Sequence, residues 1–183
     1  MEVKKSIDKS IRAIKSLREE DILEAADIVV SSIKNGGKLL LCGNGGSAAD
    51  CQHISGELVG KFRYQRMALP AISLSADTSI LTALANDFGA DEIFRRQVEA
   101  LGEKGDVLFA LSTSGTSPNI ISAVDEARKK GLKVVGFTGS KGSKLKSLCD
   151  VCIMAESEDT PYIQEAHAVA YHLICGIVEG ACM

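Results

Sequence analysis

The sequence predicts one α/β domain, residues 1–183, built as a doubly wound, flavodoxin-like sheet of five parallel strands with extra N-terminal helices. Segments with helical and strand patterns alternate along the chain. The middle strands, such as Val107–Leu111, are apolar at every position. Strands buried on both faces belong to parallel sheets that helices cover. A chain of 183 residues suits one core, and no linker or internal repeat divides it.

Two amphipathic helices are predicted at the start of the chain. Ile7, Ile11 and Ile14 form one apolar stripe of a helix over residues 3–18. A second helix over residues 20–34 ends at the following Asn-Gly-Gly, since glycine commonly stops a helix. This N-terminal layer, residues 1–35, and the last helix are more apolar than a monomer needs, so we expect oligomerisation through them.

The remaining elements are separated by turns rich in glycine or hydroxyl side chains. The predicted strands are Lys38–Cys42, Pro70–Ser75, Asp106–Ser112, Lys133–Thr138 and Val151–Ala155. The predicted helices are Ala48–Leu58, Thr78–Ala85, Asp91–Leu101, Pro118–Lys130, Lys144–Cys149 and Tyr162–Glu179. Pro118 suits the first turn of its helix, where a backbone N–H has no helical partner, and Gly131 is a typical residue for its end.

The composition argues against nucleic-acid and membrane partners. The net charge is −3, from 21 Lys and Arg against 24 Asp and Glu, and aromatic residues make up 4% without Trp. Nucleic-acid binders usually have a basic excess and aromatic stacking platforms. No apolar run approaches the roughly 20 residues of a membrane-spanning helix. The first residues lack the apolar core of a signal peptide, which predicts a cytoplasmic protein.

The six cysteines do not indicate a disulfide framework, because a cytoplasmic chain of this size folds without such links. Cys149 and Cys152 have the spacing of a redox motif or of half a zinc ribbon. No second pair accompanies them, and they lie where a helix is followed by a strand. We therefore interpret both as small buried residues.

Two loops at strand ends carry candidate binding chemistry, because ligands of open parallel sheets bind beyond the carboxyl ends of the strands. One is the glycine loop, residues 43–47; the other is the hydroxyl loop, residues 112–117. Each leads into a helix, whose N-terminal N–H groups favour an anion. A helix cap needs only one hydroxyl, so we interpret the hydroxyl loop as a phosphate site. The glycine loop matches neither G-x-G-x-x-G nor a P-loop, which argues against a nucleotide cofactor.

His53 and Glu57 follow the glycine loop at positions i and i+4 of one helix face. That spacing can hold one metal ion or one substrate. The alternative is an ordinary surface pair. We favour the functional interpretation because the neighbouring Ile54 and Leu58 are apolar and because the helix starts at the glycine loop.

The last helix carries Gln164 and the other two histidines, His167 and His172. Gln164 and His172 are eight residues apart, about 12 Å along a helix axis. They meet in one small site only if both side chains lean inward or if they come from neighbouring subunits. His167 lies off that face, and we expect a structural or interfacial role for it.

Together these motifs resemble the sugar isomerase (SIS) domain family, and within it the isomerases of heptose phosphates. The resemblance spans nearly the whole chain and rests on five groups of residues: Cys42–Ser47, Gln52 and His53 with Glu57 and Leu58, Asn86–Gly89, Ser112–Gly115, and Ile163–Glu165 with His167 and His172. It implies interconversion of D-sedoheptulose 7-phosphate and D-glycero-D-manno-heptose 7-phosphate. That reaction is the first step toward the activated heptoses of bacterial surface polysaccharides, including lipopolysaccharide.

The resemblance also implies roles for individual residues. Phosphate contacts are implied for Ser112, Thr113, Ser114 and Ser117, and other substrate contacts for Asn44, Gly45, Gly46, Glu57, Asn86, Asp87 and Gln164. One zinc ion per subunit is implied at His53, Glu57, Gln164 and His172, in a homotetramer with sites at subunit contacts. For proton transfer through an enediolate we expect Glu57 and His172 as base and acid. The sequence is compatible with Glu57 as the base, as a metal ligand, or as both.

Three other functions are considered. A non-catalytic SIS protein could bind a partner, but relatives of that kind lack a carboxylate at the position of Glu57. A sugar-phosphate sensor usually accompanies a DNA-binding domain, for which this chain has no spare residues. Isomerisation of another ketose phosphate is the hardest to separate, because the hydroxyl loop recognises phosphate and not chain length.

Overall fold

The computed structural model describes residues 2–183, which form one five-stranded parallel sheet covered by helices. The strands are β1 (Leu39–Gly43), β2 (Ala71–Ser73), β3 (Val107–Leu111), β4 (Lys133–Gly139) and β5 (Val151–Ala155). Their order in the sheet is β2-β1-β3-β4-β5. This is the doubly wound order of flavodoxin-like folds, and its switch point lies between β1 and β3. The predicted fold class is therefore confirmed.

Helices cover both faces of the sheet. They are α1 (Val3–Lys15), α2 (Glu19–Lys34), α3 (Gly46–Val59), α4 (Thr78–Asp87), α5 (Arg95–Leu101), α6 (Pro118–Lys129), α7 (Ser143–Lys146) and α8 (Thr160–Ala181). The helix predicted over Asp91–Leu101 was wrong in its first half. Residues Ala90–Glu92 form a separate 3₁₀ turn, and α5 begins only at Arg95. Phe94, between this turn and α5, is 2% exposed and packs in the core.

Side chains at alternate positions of the strands belong to two hydrophobic cores, one on each face of the sheet. Leu41 and Phe109 point to the face that α2, α3 and α8 cover, where Phe109 packs on Phe137 with ring centroids 5.2 Å apart. Leu40 and Leu108 point to the face that α5 and α6 cover. Every residue of β1 and β3 is buried, as the uninterrupted apolar pattern predicts.

Helix α1 lies outside this arrangement, because it packs on α8 rather than on the sheet. Its outer face exposes Val3, Ile7 and Ile11, and a groove of about 410 Å³ beside it is lined by Ile14 and Leu173 among other apolar residues. Exposed apolar side chains on these helices are what the predicted oligomerisation surface requires. No helix within residues 2–183 has the length and hydropathy needed to cross a membrane.

The six cysteines are all free thiols. Cys152 is buried, as predicted, whereas Cys149 is only half-buried. The thiol of Cys149 donates to the carbonyl of Leu145 at 3.1 Å, and a hydrogen bond with Cys152, followed by burial, raises the pKa of Cys149. A thiol that stays protonated is a poor nucleophile, which favours the structural interpretation of this pair.

His167 has a structural role, because it is completely buried on the inner face of α8. Its Nε2–H donates to the carbonyl of Thr138 at 3.1 Å, and its Nδ1 is buried without a partner among residues 2–183. A proton added at Nδ1 would therefore lack an acceptor. Burial accordingly lowers the pKa of His167 from its ordinary 6.5 to about 4.

The buried His167 predicts acid sensitivity of the fold. Between pH 6.5 and 4 the unfolded chain takes up a proton at this histidine and the folded chain resists it, so stability falls as the pH falls. The expected loss between pH 7 and pH 4 is about 3 kcal/mol. Urea unfolding across this range measures it, and His167→Gln, which keeps an N–H donor, should flatten the acid limb. An equally steep limb in that variant would contradict the assignment.

Candidate active site

A cavity of about 250 Å³ opens at the switch point of the sheet, beyond the carboxyl ends of β1 and β3. The residues that line it are Asn44, Gly45, Gly46, Ser47, Leu111, Ser112, Thr113, Ser117, Thr160 and Gln164. None of these is a lysine or an arginine. An anion in this cavity would therefore meet hydroxyl groups and backbone N–H groups rather than a positive side chain.

The glycine loop is shaped by two close approaches. A side chain at Gly43 would put its Cβ 2.6 Å from the carbonyl oxygen of Ser47, so the turn into α3 requires glycine. A Cβ at Gly46 would lie 2.5 Å from Nε2 of Gln164. The absence of a side chain at Gly46 therefore lets Gln164 of α8 lie directly over the start of α3.

The hydroxyls of the second loop converge. Oγ of Ser112 lies 3.1 Å from Oγ of Ser117 and accepts the N–H of Gly115 at 3.1 Å. Gly115 has a φ of +64° and backs closely onto Gly142, which holds the loop against the next connection. Ser114 lies 3.4 Å from Ser112 and lines the adjoining cavity, of about 100 Å³, rather than the main one.

Both helices that start at this cavity lack a side-chain cap. Ser117 is the residue before the first turn of α6, yet its hydroxyl caps no N–H there, and α3 begins after Gly45 without one. The helix-cap interpretation of the hydroxyl loop is therefore not supported by the structure. Free N–H groups and the partial positive charge of a helix N-terminus suit a phosphate.

A second cluster lies further along α3, where His53, Glu57 and His172 meet. Nε2 of His53 is 3.0 Å from Oε1 of Glu57, and the rings of His53 and His172 are 5.0 Å apart. One potential ligand atom from each of the three lies within 4.8 Å of the others. The side chain of His53 is 46% exposed and that of Glu57 22%, so the cluster is open to small molecules.

The donor set of this cluster fits a zinc ion. Two imidazoles and one carboxylate are the three protein ligands of many catalytic zinc sites, which leave a fourth position for water or substrate. The three side chains already converge, and His53 and Glu57 do so by their i, i+4 spacing. The structure therefore contains a possible metal site of the predicted kind.

Side chains that the sequence did not single out surround the cluster. The Tyr171 hydroxyl lies 3.1 Å from Nδ1 of His53 and 3.4 Å from Oδ1 of Asp50. Phe62 stacks on His172 with the ring centroids 5.8 Å apart. Burial raises the pKa of Tyr171, and the Asp50 carboxylate adds to this, so the hydroxyl keeps its proton. Burial also raises the pKa of Asp50, against the effects of Tyr171 and the two histidines.

A buried ion pair joins the two helices of the cluster. The carboxylate of Glu179, on α8, accepts the backbone N–H groups of residues 62–64 at 2.7–3.1 Å and lies 3.3 Å from Nε of Arg66. Arg66 donates to the carbonyls of Glu57 and Leu58, at 2.9 and 2.8 Å, at the end of α3. The side chains of Arg66 and Glu179 are 3% and 1% exposed. Burial alone would raise the pKa of Glu179, but the N–H donors and Arg66 outweigh it and lower that pKa.

Gln164, a predicted metal ligand, is not at this cluster in the single chain, and two predicted substrate contacts, Asn86 and Asp87, are at neither the cluster nor the cavity. Gln164 lines the switch-point cavity against Gly46. It is eight residues before His172 on α8, which is about 12 Å along the helix axis. Asn86 and Asp87 lie exposed at the end of α4, where the Asn86 amide donates to the Asp87 carboxylate at 2.8 Å. Helix α4 has no buried residue. Asp50, Tyr171, Arg66 and Glu179, which sequence reasoning missed, follow from no local motif; only the i, i+3 spacing of Asp50 and His53 could have indicated one of them.

Comparison with known proteins places this chain in one family. A family model for the SIS domain matches residues 4–139. A phosphoheptose isomerase of Burkholderia pseudomallei is 55% identical over 158 residues, which is 86% of this chain and 80% of the relative. The phosphoheptose isomerase of Pelobacter propionicus is 50% identical over 177 residues, or 94% of each chain.

The solved structure of the phosphoheptose isomerase from Neisseria gonorrhoeae superimposes with a TM-score of 0.91 at 40% identity, covering 97% of both chains. The chain belongs to the phosphoheptose isomerase family of SIS domain proteins. It is a phosphosugar isomerase. The NanR protein of Vibrio vulnificus, at a TM-score of 0.64 and 18% identity, shares only the fold.

Proposed function

We propose that this isomerase interconverts D-sedoheptulose 7-phosphate and D-glycero-D-manno-heptose 7-phosphate. One arrangement carries the proposal: a cavity without charged side chains at the start of α3, and an open cluster further along α3, where His172 of α8 meets His53 and Glu57. The names of the relatives support the substrate class, a heptose phosphate. As the entry to activated heptoses, the reaction would serve surface-polysaccharide synthesis, lipopolysaccharide included, in the cytoplasm.

The phosphate binds in the switch-point cavity. The hydroxyls of Ser112, Thr113 and Ser117 donate to its oxygens, Ser114 supports them from the adjoining cavity, and the partial positive charges at the N-termini of α3 and α6 add to the attraction. His53 and Glu57 lie seven and eleven residues beyond Gly46, about 10 and 16 Å along the axis. An extended sugar chain separates its phosphate from C1 and C2, so a phosphate site apart from the acid–base cluster suits this substrate. The sugar chain between the phosphate site and the cluster would pass beside Asn44, Gly45, Gly46 and Gln164.

The reaction moves one hydrogen between C1 and C2. Glu57 takes the proton from C1 of the ketose, and the electron pair forms the C1–C2 double bond of the enediolate. His172 donates a proton to the former carbonyl oxygen and takes one from the C1 hydroxyl. Glu57 then returns its proton to C2, which completes the aldose. Acid–base catalysis of this kind typically contributes about 10²- to 10⁴-fold.

His53, Glu57 and His172 would hold one zinc ion per subunit. A bound zinc ion stabilises negative charge on the substrate oxygens. Gln164 stays a predicted fourth ligand. It lies at Gly46 in its own chain, so it would complete the metal centre either by leaning inward or as a ligand from a neighbouring subunit. A carboxylate bound to metal is a weaker base, so Glu57 serves both roles only if it leaves the metal when substrate binds.

A homotetramer with sites at subunit contacts accounts for two features of the single chain. The outer faces of α1, α2 and α8 expose apolar side chains, including Ile7, Leu23 and Leu173. Helix α4 has no buried residue, although it carries the predicted substrate contacts Asn86 and Asp87. Packing α4 against a neighbouring subunit would bury this helix and bring both residues to a substrate.

Turnover assays test the proposal directly. Purified protein is expected to form heptose 7-phosphate from sedoheptulose 7-phosphate, to lose activity after chelation and to regain it with zinc. Fructose 6-phosphate serves as the control substrate and is expected to react poorly. Preferred turnover of the six-carbon sugar would overturn the substrate assignment, and full activity after exhaustive chelation would overturn the metal centre.

A further inference from the structure

Three side chains form a hydrogen-bonded chain behind the cluster. The Tyr171 hydroxyl oxygen lies 3.4 Å from Oδ1 of Asp50 and 3.1 Å from Nδ1 of His53. The other ring nitrogen of His53, Nε2, faces Glu57 at 3.0 Å. One edge of the imidazole therefore meets Tyr171, and the opposite edge meets the proposed metal ligands.

The chemistry of Asp50 sets the direction of these hydrogen bonds. An ionised carboxylate only accepts, and a tyrosine hydroxyl has one hydrogen to donate. Within residues 2–183, Oδ2 of Asp50 is buried without a partner, and the hydroxyl of Tyr171 is the side-chain donor at Oδ1. A buried carboxylate without any donor is costly. The hydrogen of Tyr171 therefore goes to Asp50, and its oxygen is left to accept from His53.

We propose that Tyr171 is a positioning residue, which couples Asp50 to His53 so that Nδ1 keeps its hydrogen and Nε2 is the atom offered to the metal ion. The inference rests on the metal centre of the proposed function. Metal-binding histidines usually donate their other N–H to a carboxylate or another acceptor, which orients the ring and makes the ligand atom more basic. Here the hydroxyl of Tyr171 lies between the two: it accepts from His53 and donates to the carboxylate of Asp50.

Tyr171→Phe removes this link while preserving the packing. The rings of Tyr171 and His53 already meet edge to face with centroids 5.5 Å apart, and phenylalanine keeps that contact. Tyr162→Phe is a matched control on the same helix, because it also removes one hydroxyl hydrogen bond, to Ser6 at 3.0 Å, away from the cluster.

The first measurement is the affinity for Zn²⁺, by competition with a chromogenic chelator. Tyr171→Phe is expected to bind zinc about 10- to 100-fold more weakly than wild type, the usual effect of losing such a partner. Tyr162→Phe is expected to match wild type. Asp50→Asn, which keeps an acceptor but loses the charge, should fall between the two and serves if Tyr171→Phe folds poorly. Wild-type affinity in Tyr171→Phe, in a folded protein, would overturn the proposal.

The second measurement is ¹⁵N and ¹H NMR of the histidine side chains in the zinc-loaded protein, where only three residues contribute. Zinc has to be present, because without it the Glu57 carboxylate, 3.0 Å from Nε2 of His53, is itself an acceptor for a hydrogen on Nε2. We expect a hydrogen-bonded Nδ1–H on His53 of wild type that exchanges slowly with water, and faster exchange in Tyr171→Phe. Equal exchange in the two proteins overturns the role of Tyr171 even though zinc binds. A wild type that binds no zinc overturns the metal centre of the proposed function, and with it this proposal.

Discussion

Glu57→Gln is expected to lower kcat for heptose 7-phosphate formation by about 10²- to 10⁴-fold, the range that a positioned acid–base group contributes. Glutamine has nearly the same shape and still presents an oxygen to His53, whose Nε2 lies 3.0 Å from Oε1 of the native carboxylate. It has no basic lone pair strong enough to take the C1 proton. KM should change little, because the phosphate site lies at the other end of α3.

Two further measurements separate the roles of Glu57. Zinc affinity measured beside kcat tells whether lost activity comes from lost metal or from the lost base. If zinc-saturated Glu57→Gln is still inactive, Glu57 is the base. The matched control is Glu24→Gln on α2, an exposed glutamate that should behave as wild type. Near-normal turnover by Glu57→Gln would exclude Glu57 as the base and favour His172 as the group that moves the proton.

Arg66→Met is expected to lower the melting temperature by roughly 6–20 °C, because removing one partner of a buried ion pair is among the most destabilising substitutions. Methionine retains the apolar stem of arginine but leaves Glu179 without its cation. It also removes the donors to the carbonyls of Glu57 and Leu58. The end of α3 would then be held less firmly against α8. Because these two helices carry the cluster of His53, Glu57 and His172, activity should fall as well.

Arg63→Met provides the comparison for this experiment. Arg63 is in the same connecting segment, is exposed, and has its guanidinium over the Phe62 ring, 5.2 Å from the centroid. Its replacement should shift the melting temperature by no more than a few degrees. Thermal unfolding followed by circular dichroism measures both variants. Equal melting temperatures for the two variants would show that the ion pair contributes no more than a surface residue.

Much of the fold follows from local patterns. The apolar runs of β1 and β3 predicted central parallel strands, and both strands are fully buried. Element boundaries were less accurate: β2 is shorter than predicted, α8 is longer, and a 3₁₀ turn interrupts the helix predicted over residues 91–101. Periodicity does not report such a break, because it depends on where the ring of Phe94 finds space in the core.

The candidate site also combines features that local spacing predicts with features that depend on tertiary packing. The convergence of His53 with Glu57 was predictable, because four residues along a helix return to the same face. The position of His172 beside them follows from no spacing along the chain, since it depends on how α8 packs against α3; only the family resemblance implied it. The same packing places Gln164 over Gly46 instead, so these two residues of one helix lie at different parts of the candidate site.

The sequence by itself determined the alternation of strands and helices, the hydroxyl loop and the His53–Glu57 pair, because each depends on neighbours within a few residues of the chain. Only the tertiary structure decided that Asp50 meets Tyr171 and that Arg66 meets Glu179, partners separated by 121 and 113 residues. Such pairs form because a buried carboxylate must find a donor, and the donor within reach is set by the packing of α3 on α8.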